Sequence, residues 1–373
     1  MLACLALLVA TSSARATMVV NVIAPKRENL QYLSFWVAKG AGLLEAEGID
    51  AQLMPPAGGD TSSEMLRRGD AQVALLPPTR YIPLIAQKFP LIVAANLLEN
   101  DGINLIVRRS VLEARHLTPS MPLVDRLKGV KGLKIGVAHG PPTRLRALYA
   151  SQGLNADDYL ELVMLKGDPQ NEAFGQKDVD ALYAHSPYAE RALVEQDGIV
   201  LVNQSAGEVP ELAHRAMFAL CATRAFATAE PAALAAIVRA IGRAEELTHK
   251  DPKGAVDAVL RVFPSMDRRL VEALVTLYEP AVPKTPTVTA EAIVASAKLL
   301  PETMERPDLS AIDLQDYIAG IPRVAAAAAP AATPARLAVA PRAAIVLLVL
   351  VGVACAFVFF RRSRGTSKKE IEP

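Results

Sequence analysis

The chain has 373 residues, enough to bury a substantial core and, by ordinary size rules, to form two domains or lobes. Its 40 basic side chains balance 39 acidic ones, so no global field recruits nucleic acid or a strongly acidic partner. Of the three cysteines, Cys4, Cys221 and Cys355, only Cys221 falls outside the two apolar ends, which excludes an internal disulfide in the body.

Residues 2–10, LACLALLVA, are apolar and lead into TSSARA, where Ala14 and Ala16 flank Arg15 as in an A-x-A cleavage site. A secretory signal over residues 1–16 is expected, although no Lys or Arg precedes the apolar run. A buried first strand or helix is the alternative. In the body, Met18–Ile23 reads as a strand, Gln31–Glu47 as an amphipathic helix and Ala51–Met54 as a strand. A short helix follows at Ser62–Arg68, a strand at Ala71–Leu76 and a helix over Thr79–Gln87. Pro90–Asn96 and Ile103–Val107 are further strands, which puts a first lobe at 17–109. Ser110–Gly132 is polar and turn-rich and reads as the crossing to a second lobe, ending near residue 215.

The second lobe repeats the scheme. Strands are predicted at Leu133–Val137, Tyr159–Leu165, Asp180–Tyr183 and Ile199–Val202. Helices are predicted at Thr143–Gln152, Asn171–Gln176 and Pro187–Glu195. After a strand at Ala216–Ala222 the return segment, 216–322, turns helical: Glu230–Thr248, Pro252–Val262, Met266–Leu277 and Ala290–Leu300. Asp251-Pro252 places an acceptor before a proline, the signature of a helix start. Short apolar runs alternating with helices imply an α/β body with partly parallel sheets, and a cleft between the lobes is the default ligand site.

Residues 323–342, RVAAAAAPAATPARLAVAPR, are broken by Pro330, Pro334 and Pro341 and read as a spacer. Ala343–Phe360 carries no charge over 18 residues and would make a helix of roughly 27 Å, close to the thickness of a bilayer core. Arg361, Arg362, Arg364, Lys368 and Lys369 follow, so a transmembrane helix at 343–360 with a cytoplasmic tail at 361–373 is expected. The body would then face the periplasm or the cell exterior.

Four segments, in order, carry a family likeness. They are Tyr32–Asp50 (YLSFWVAKGAGLLEAEGID), Met65–Leu76 (MLRRGDAQVALL), Leu127–Gly140 (LKGVKGLKIGVAHG) and Phe174–Ala189 (FGQKDVDALYAHSPYA). Over roughly residues 18–320 the chain resembles the periplasmic binding proteins for nitrate, sulfonates, taurine and thiamine-precursor pyrimidines. Leu44 stands where that family often has phenylalanine. The resemblance implies a two-lobed Venus-flytrap fold of type II that hands a small molecule to an ABC permease, with no cofactor and no enzymatic step. A C-terminal membrane helix departs from that family's pattern. It leaves open a membrane-anchored sensor or accessory subunit beside the transport reading. The thiamine-pyrimidine synthases share the fold but carry a cysteine-rich iron motif, absent from a body whose one cysteine is Cys221.

In such a fold the ligand meets strand C-termini and the helix starts that follow them. The first-lobe candidates are Phe35, Trp36, Gly58, Gly59 and Thr79. Those of the second lobe are His139, Gly140, Thr143, Arg144, Asp168, His185, Ser186 and Tyr188. His139 and His185 lack the spacing of a metal site, and Ser186 lacks a nucleophile elbow. Pro141 and Pro142 remove N–H donors from the helix start, while Trp36, Phe35, Tyr81 and Tyr188 suggest flat apolar walls. The expected ligand is therefore organic, with an aromatic part stacked on Trp36 and few charges.

Overall fold

The computed structural model describes residues 17–25, 29–56, 61–138 and 140–320. Ten strands form two five-stranded sheets. The strands are β1 (Met18–Ile23), β2 (Ile49–Met54), β3 (Val73–Leu76), β4 (Leu91–Leu98), β5 (Asn104–Arg108), β6 (Lys134–Val137), β7 (Glu161–Met164), β8 (Ala181–Ala184), β9 (Gly198–Val202) and β10 (Phe218–Thr223). The first sheet runs β2-β1-β3-β10-β4 and the second β7-β6-β8-β5-β9. In each sheet the first three strands are parallel, and a strand inserted from a lobe crossing runs antiparallel to its neighbours. That strand is β10 in the first sheet and β5 in the second. The α/β, two-lobed architecture read from the sequence is thus present, with both sheets mixed.

One boundary differs. Ile103–Val107, assigned to the first lobe from its apolar run, is the strand Asn104–Arg108, which pairs Leu105 with Tyr183 and Val107 with Ala181 in the second sheet. All five residues of β5 are buried, so burial on both faces conceals which sheet receives the strand. The crossings are therefore residues 99–103 and 203–217, while 110–132 forms two short helices, Arg109–Ala114 and Leu123–Gly129. These cover the second sheet, burying Leu112, Leu117 and Leu127 in its core. The membrane span, spacer, tail and signal expected from the sequence lie outside the described residues. Among the described residues no helix is long and apolar enough to cross a membrane.

Helical residues 224–297 return onto the first lobe. Asp251 caps Pro252–Val262 as its sequence signature required, Oδ1 accepting from the Gly254 N–H at 2.9 Å. The predicted helix Gln31–Glu47 is interrupted, because Gly42 adopts a left-handed φ of +69° between Leu33–Gly40 and Leu43–Ala46. Leu33–Gly40 has six consecutive buried residues, Leu33–Ala38, and lies against the helices Pro231–Lys250 and Pro252–Val262. Each fully buried large apolar side chain there contributes about 1.5–3 kcal/mol. The approach is close enough that a Cβ at Gly40 would stand 1.9 Å from the Ala258 carbonyl oxygen. Since backbone rather than a flexible side chain blocks that space, Gly40→Ala is expected to lower unfolding stability by about 1–3 kcal/mol, read as a shift of the denaturant midpoint.

The lobes are also joined through the start of the helix Tyr188–Glu195. Tyr278 Oη, on the return helix Arg268–Tyr278, donates to the Gly102 carbonyl at 2.7 Å and accepts from the Ser186 N–H at 3.0 Å. Beneath it Glu190 is buried, with Oε1 accepting from Ser186 Oγ at 2.8 Å. Burial pushes the Glu190 carboxyl up from 4.5 to about 7, only partly opposed by hydrogen bonds from its own N–H and from Ser186. The folded form therefore holds a proton that the unfolded chain releases earlier. This contribution to stability is complete below pH 4.5 and is lost as pH rises through 7. Thermal melts from about pH 5 to pH 8 should show wild-type stability declining by up to about 3 kcal/mol more than that of Glu190→Gln. Parallel profiles would refute a titrating Glu190.

Candidate functional site

Two polar crossings come together between the sheets. Ser205 Oγ donates to the Asp101 carbonyl at 3.1 Å, and Asn104 Nδ2 donates to Ser205 Oγ at 2.9 Å. Asn100 Nδ2 donates to the Ser205 carbonyl at 3.1 Å, and Asn100 Oδ1 accepts from the His214 N–H at 3.2 Å. The crossings are thereby bonded side by side, and they carry a charged pair into the interior.

Asp101 and Arg215 are each only 1% exposed in their side chains. Arg215 Nη2 donates to Asp101 Oδ2 at 3.0 Å, and Arg144 Nη1, from the second lobe, donates to Asp101 Oδ1 at 3.0 Å. Burial alone would raise the Asp101 carboxyl, but Arg144 and Arg215 outweigh it and hold it below the ordinary carboxylate range. Two guanidiniums thus face one carboxylate. Arg215 Nε and Nη1 are buried and have no protein hydrogen-bond partner among the described residues. Leaving buried donors unpaired is costly, and costlier still on a charged group.

Arg144 and Arg215 line a small cavity of about 40 Å³. Pro77, Pro78 and Thr79 wall it at the start of the helix Pro78–Ala86, and Met217 and Phe218 wall it at the entry to β10. Ser296, Leu299 and Leu300 from the end of the return segment complete it. The neighbouring helix Pro142–Ser151 opens poorly for anions by backbone alone. Pro141 and Pro142 have no N–H, and those of Arg144 and Leu145 already donate to the Pro141 carbonyl at 2.9 and 3.1 Å. Positive character comes from side chains.

Of the residues singled out in the sequence, Thr79 and Arg144 line this cavity, while Gly140 and Thr143 lie against Pro301 and Glu302, just beyond the lining residues Leu299 and Leu300. Gly58, Gly59 and His139 lie outside the described residues. His185 is half-buried, its Nδ1 lying 3.2 Å from Gln31 Nε2 of the first lobe and 2.5 Å from the Ser186 carbonyl oxygen. Desolvation lowers its pKa, and the Arg144 charge adds to that, outweighing the Ser186 carbonyl, so the ring is held neutral near pH 7. Tyr188 has its ring centroid 5.8 Å from that of His185. Ser186 points away, into its bond with Glu190. Asp168 is exposed and pairs with Arg191 at 3.5 Å, away from the cavity walls.

Trp36, Phe35 and Tyr81 are buried in the core and form no aromatic wall. Trp36 is 1% exposed and packs edge-on to Phe35 and Phe263, with centroids 5.2 and 5.0 Å away. Its Nε1 donates to the Asn29 carbonyl at 2.7 Å. An amphipathic-looking helix start therefore turns its aromatics toward the return helices rather than the cleft. Tyr81 is likewise interior, donating to the Ala216 carbonyl at 2.7 Å. Cys221 is fully buried in β10 and desolvation raises its thiol pKa, opposite to the activation a nucleophile requires. Asp101, Arg215 and Ser296 were not singled out. The available signal was a polar run, Glu99–Gly102, and an arginine, Arg215, abutting apolar strands at both ends of the lobe crossings.

The fold has solved counterparts. The alkanesulfonate-binding protein SsuA from Xanthomonas axonopodis pv. citri bound to MOPS matches with a TM-score of 0.52 and 16% identity, over 79% of this chain and 98% of that one. The periplasmic aliphatic sulphonate binding protein SsuA from Escherichia coli matches with 0.53 and 18%, over 75% and 85%. A ligand binding component of an ABC-type import system from Staphylococcus aureus, with zinc bound, matches with 0.56 and 11%, over 82% and 96%. Among the described residues no group of three or more His, Cys, Asp or Glu side chains is placed to hold a metal ion. No curated protein matches the chain significantly. Residues 28–261 match the NMT1-like family, a span that takes in every strand but β1 and most of the cavity wall, and the chain belongs to that family.

Proposed function

We propose that this chain is an extracytoplasmic solute-binding protein of an ABC-type uptake system that takes a small anion between its two lobes. The observation that carries the reading is Arg215, a buried guanidinium lining the interlobe cavity with Nε and Nη1 unpaired among the described residues. Arg144 beside it leaves the two cations in excess over Asp101. A carboxylate or sulfonate would complete the guanidinium with charge-assisted bonds, which are about twice as strong as neutral ones. Closing the lobes on it would bury that contact and mark the loaded state for a permease. Two of the fold counterparts bind sulfonates and a third is a component of an ABC-type import system, which favours the same reading.

No bond is made or broken in this function. The signal at 1–16 exports the body, and the 343–360 span tethers it to the cytoplasmic membrane through the Ala/Pro spacer, with 361–373 inside. These parts rest on sequence alone. They put delivery within reach of a permease in the same bilayer.

A ligand that binds only the folded state raises apparent stability. The full chain is therefore screened by thermal shift against acetate, methanesulfonate, nitrate and bicarbonate, and against neutral pyrimidines. Anions are expected to raise the melting temperature and neutral pyrimidines to leave it unchanged. Arg215→Lys keeps a charge but loses the planar fork and should weaken anion binding by about tenfold or more, as should Arg144→Gln. Stabilisation by neutral aromatic compounds alone, unaffected by either substitution, overturns the anion reading.

A further inference from the structure

Beyond the two lobes, the cavity has a third wall that belongs to neither sheet. The helix Ala290–Ala297 ends in a turn, with the Leu299 N–H donating to the Ser296 carbonyl at 3.2 Å, and the chain then runs out over the cleft. Leu300 is buried in the first-lobe cluster that contains Tyr81, Ile82 and Ile293. Leu299, one residue earlier, packs against the second-lobe cluster of Leu105, Val137 and Leu145. The Glu302 N–H donates to Thr143 Oγ1 at 3.1 Å, at the first turn of the second-lobe helix. Pro301 stands over Gly140, where an added Cβ would come 3.7 Å from its Cγ. Ser296, Leu299 and Leu300 share the cavity with Arg144 and Arg215.

The geometry points to Ser296–Glu302 as the segment that sets which anions the cavity takes. This rests on the anion reading above and adds the ligand's size class: a single acidic head with little or no alkyl tail. The acid group is held on Arg215, and a cavity of about 40 Å³ has room for that head and little else. A tail leaving the head meets Leu299 and Leu300, whose side chains are held by both lobes at once. Thr143, singled out in the sequence as a ligand contact, instead latches this strap through the Glu302 N–H. The strap is thin, tied across the cleft by the Glu302 N–H bond, an exposed Arg146–Glu302 ion pair at 3.4 Å and two apolar side chains, so it can be reshaped without altering Arg144 or Arg215.

The test uses two matched pairs, acetate with pentanoate and methanesulfonate with butanesulfonate, titrated calorimetrically into the full chain. The wild type should prefer the short member of each pair. Leu299→Ala should shift that preference toward the long member by about tenfold per pair or more, the scale on which a pocket reads added methylenes. Leu299→Phe should disfavour the long member further, lowering its affinity by more than that of the short one. An unchanged ratio in both variants, with short anions still bound, overturns the strap assignment and leaves the anion reading standing. Binding of none of the four anions overturns both. Should Leu299→Ala fail to fold, amide exchange in the wild-type chain decides. Exchange at the Leu299, Leu300 and Glu302 amides is expected to slow when methanesulfonate saturates the protein, and unchanged exchange there under saturation overturns the inference.

Discussion

The charge pair Asp101–Arg215 is the constraint on which the interlobe region depends. Both side chains are almost wholly buried, and a buried charge is tolerable only where a partner and hydrogen bonds replace its water. Each residue belongs to a different crossing, so satisfying the pair requires the two crossings to lie side by side. The asparagine and serine bonds around Ser205 then fix the backbone that carries them. Replacing the pair by apolar residues could equal it in stability. It would not leave a positive surface facing a cavity. The pair therefore makes sense as a device for holding a guanidinium in place, with Asp101 occupying only part of it.

That division of labour also accounts for the prolines at the second-lobe helix start. Anion sites built on a helix N-terminus depend on free N–H groups. Here Pro141 and Pro142 have none, and the N–H groups of Arg144 and Leu145 are spent on the Pro141 carbonyl. A helix start so depleted would argue against an anionic ligand if backbone donors were the sole source of positive potential. Arg144 and Arg215 supply it instead, from a side chain on that helix and from a lobe crossing.

What the sequence revealed divides along a physical line. Periodicity found the strands and most of the helices, because period-2 and period-3.6 burial is a local property, and Asp251-Pro252 marked its helix start through an equally local bond; the short helices Arg109–Ala114 and Leu123–Gly129 lie in a run too polar to show it. Sheet membership was not local. The apolar run at Ile103–Val107 reads the same in either lobe, and only its pairing with β8 and β9 puts it in the second sheet. The site divided in the same way. Thr79 and Arg144 follow directly from the rule that ligands meet helix starts, and both line the cavity. Trp36 follows that rule too, yet its ring faces the return helices, which are more than 190 residues later in the chain and leave no mark near residue 36. Asp101 and Arg215 are 114 residues apart, and nothing in either neighbourhood announces the other.

The course of the chain after the strap bears on how a tether could act on the cavity. From Glu302 the backbone returns to the first lobe, where Ile318 bridges Val93 in parallel fashion and the Ala319 N–H donates to the Val93 carbonyl at 3.3 Å. Arg224 Nη2 donates to the Asp316 carbonyl at 2.6 Å nearby. This contact covers β4, the free edge of the first sheet, whose exposed backbone would otherwise invite pairing with another chain. Leu314 and Tyr317 are buried beneath it. Because these bonds lie between the strap and residue 321, tension from any membrane anchor beyond that point is met by the first sheet before it reaches Leu299 or Glu302. The strap can then respond to what fills the cavity rather than to how the protein is held.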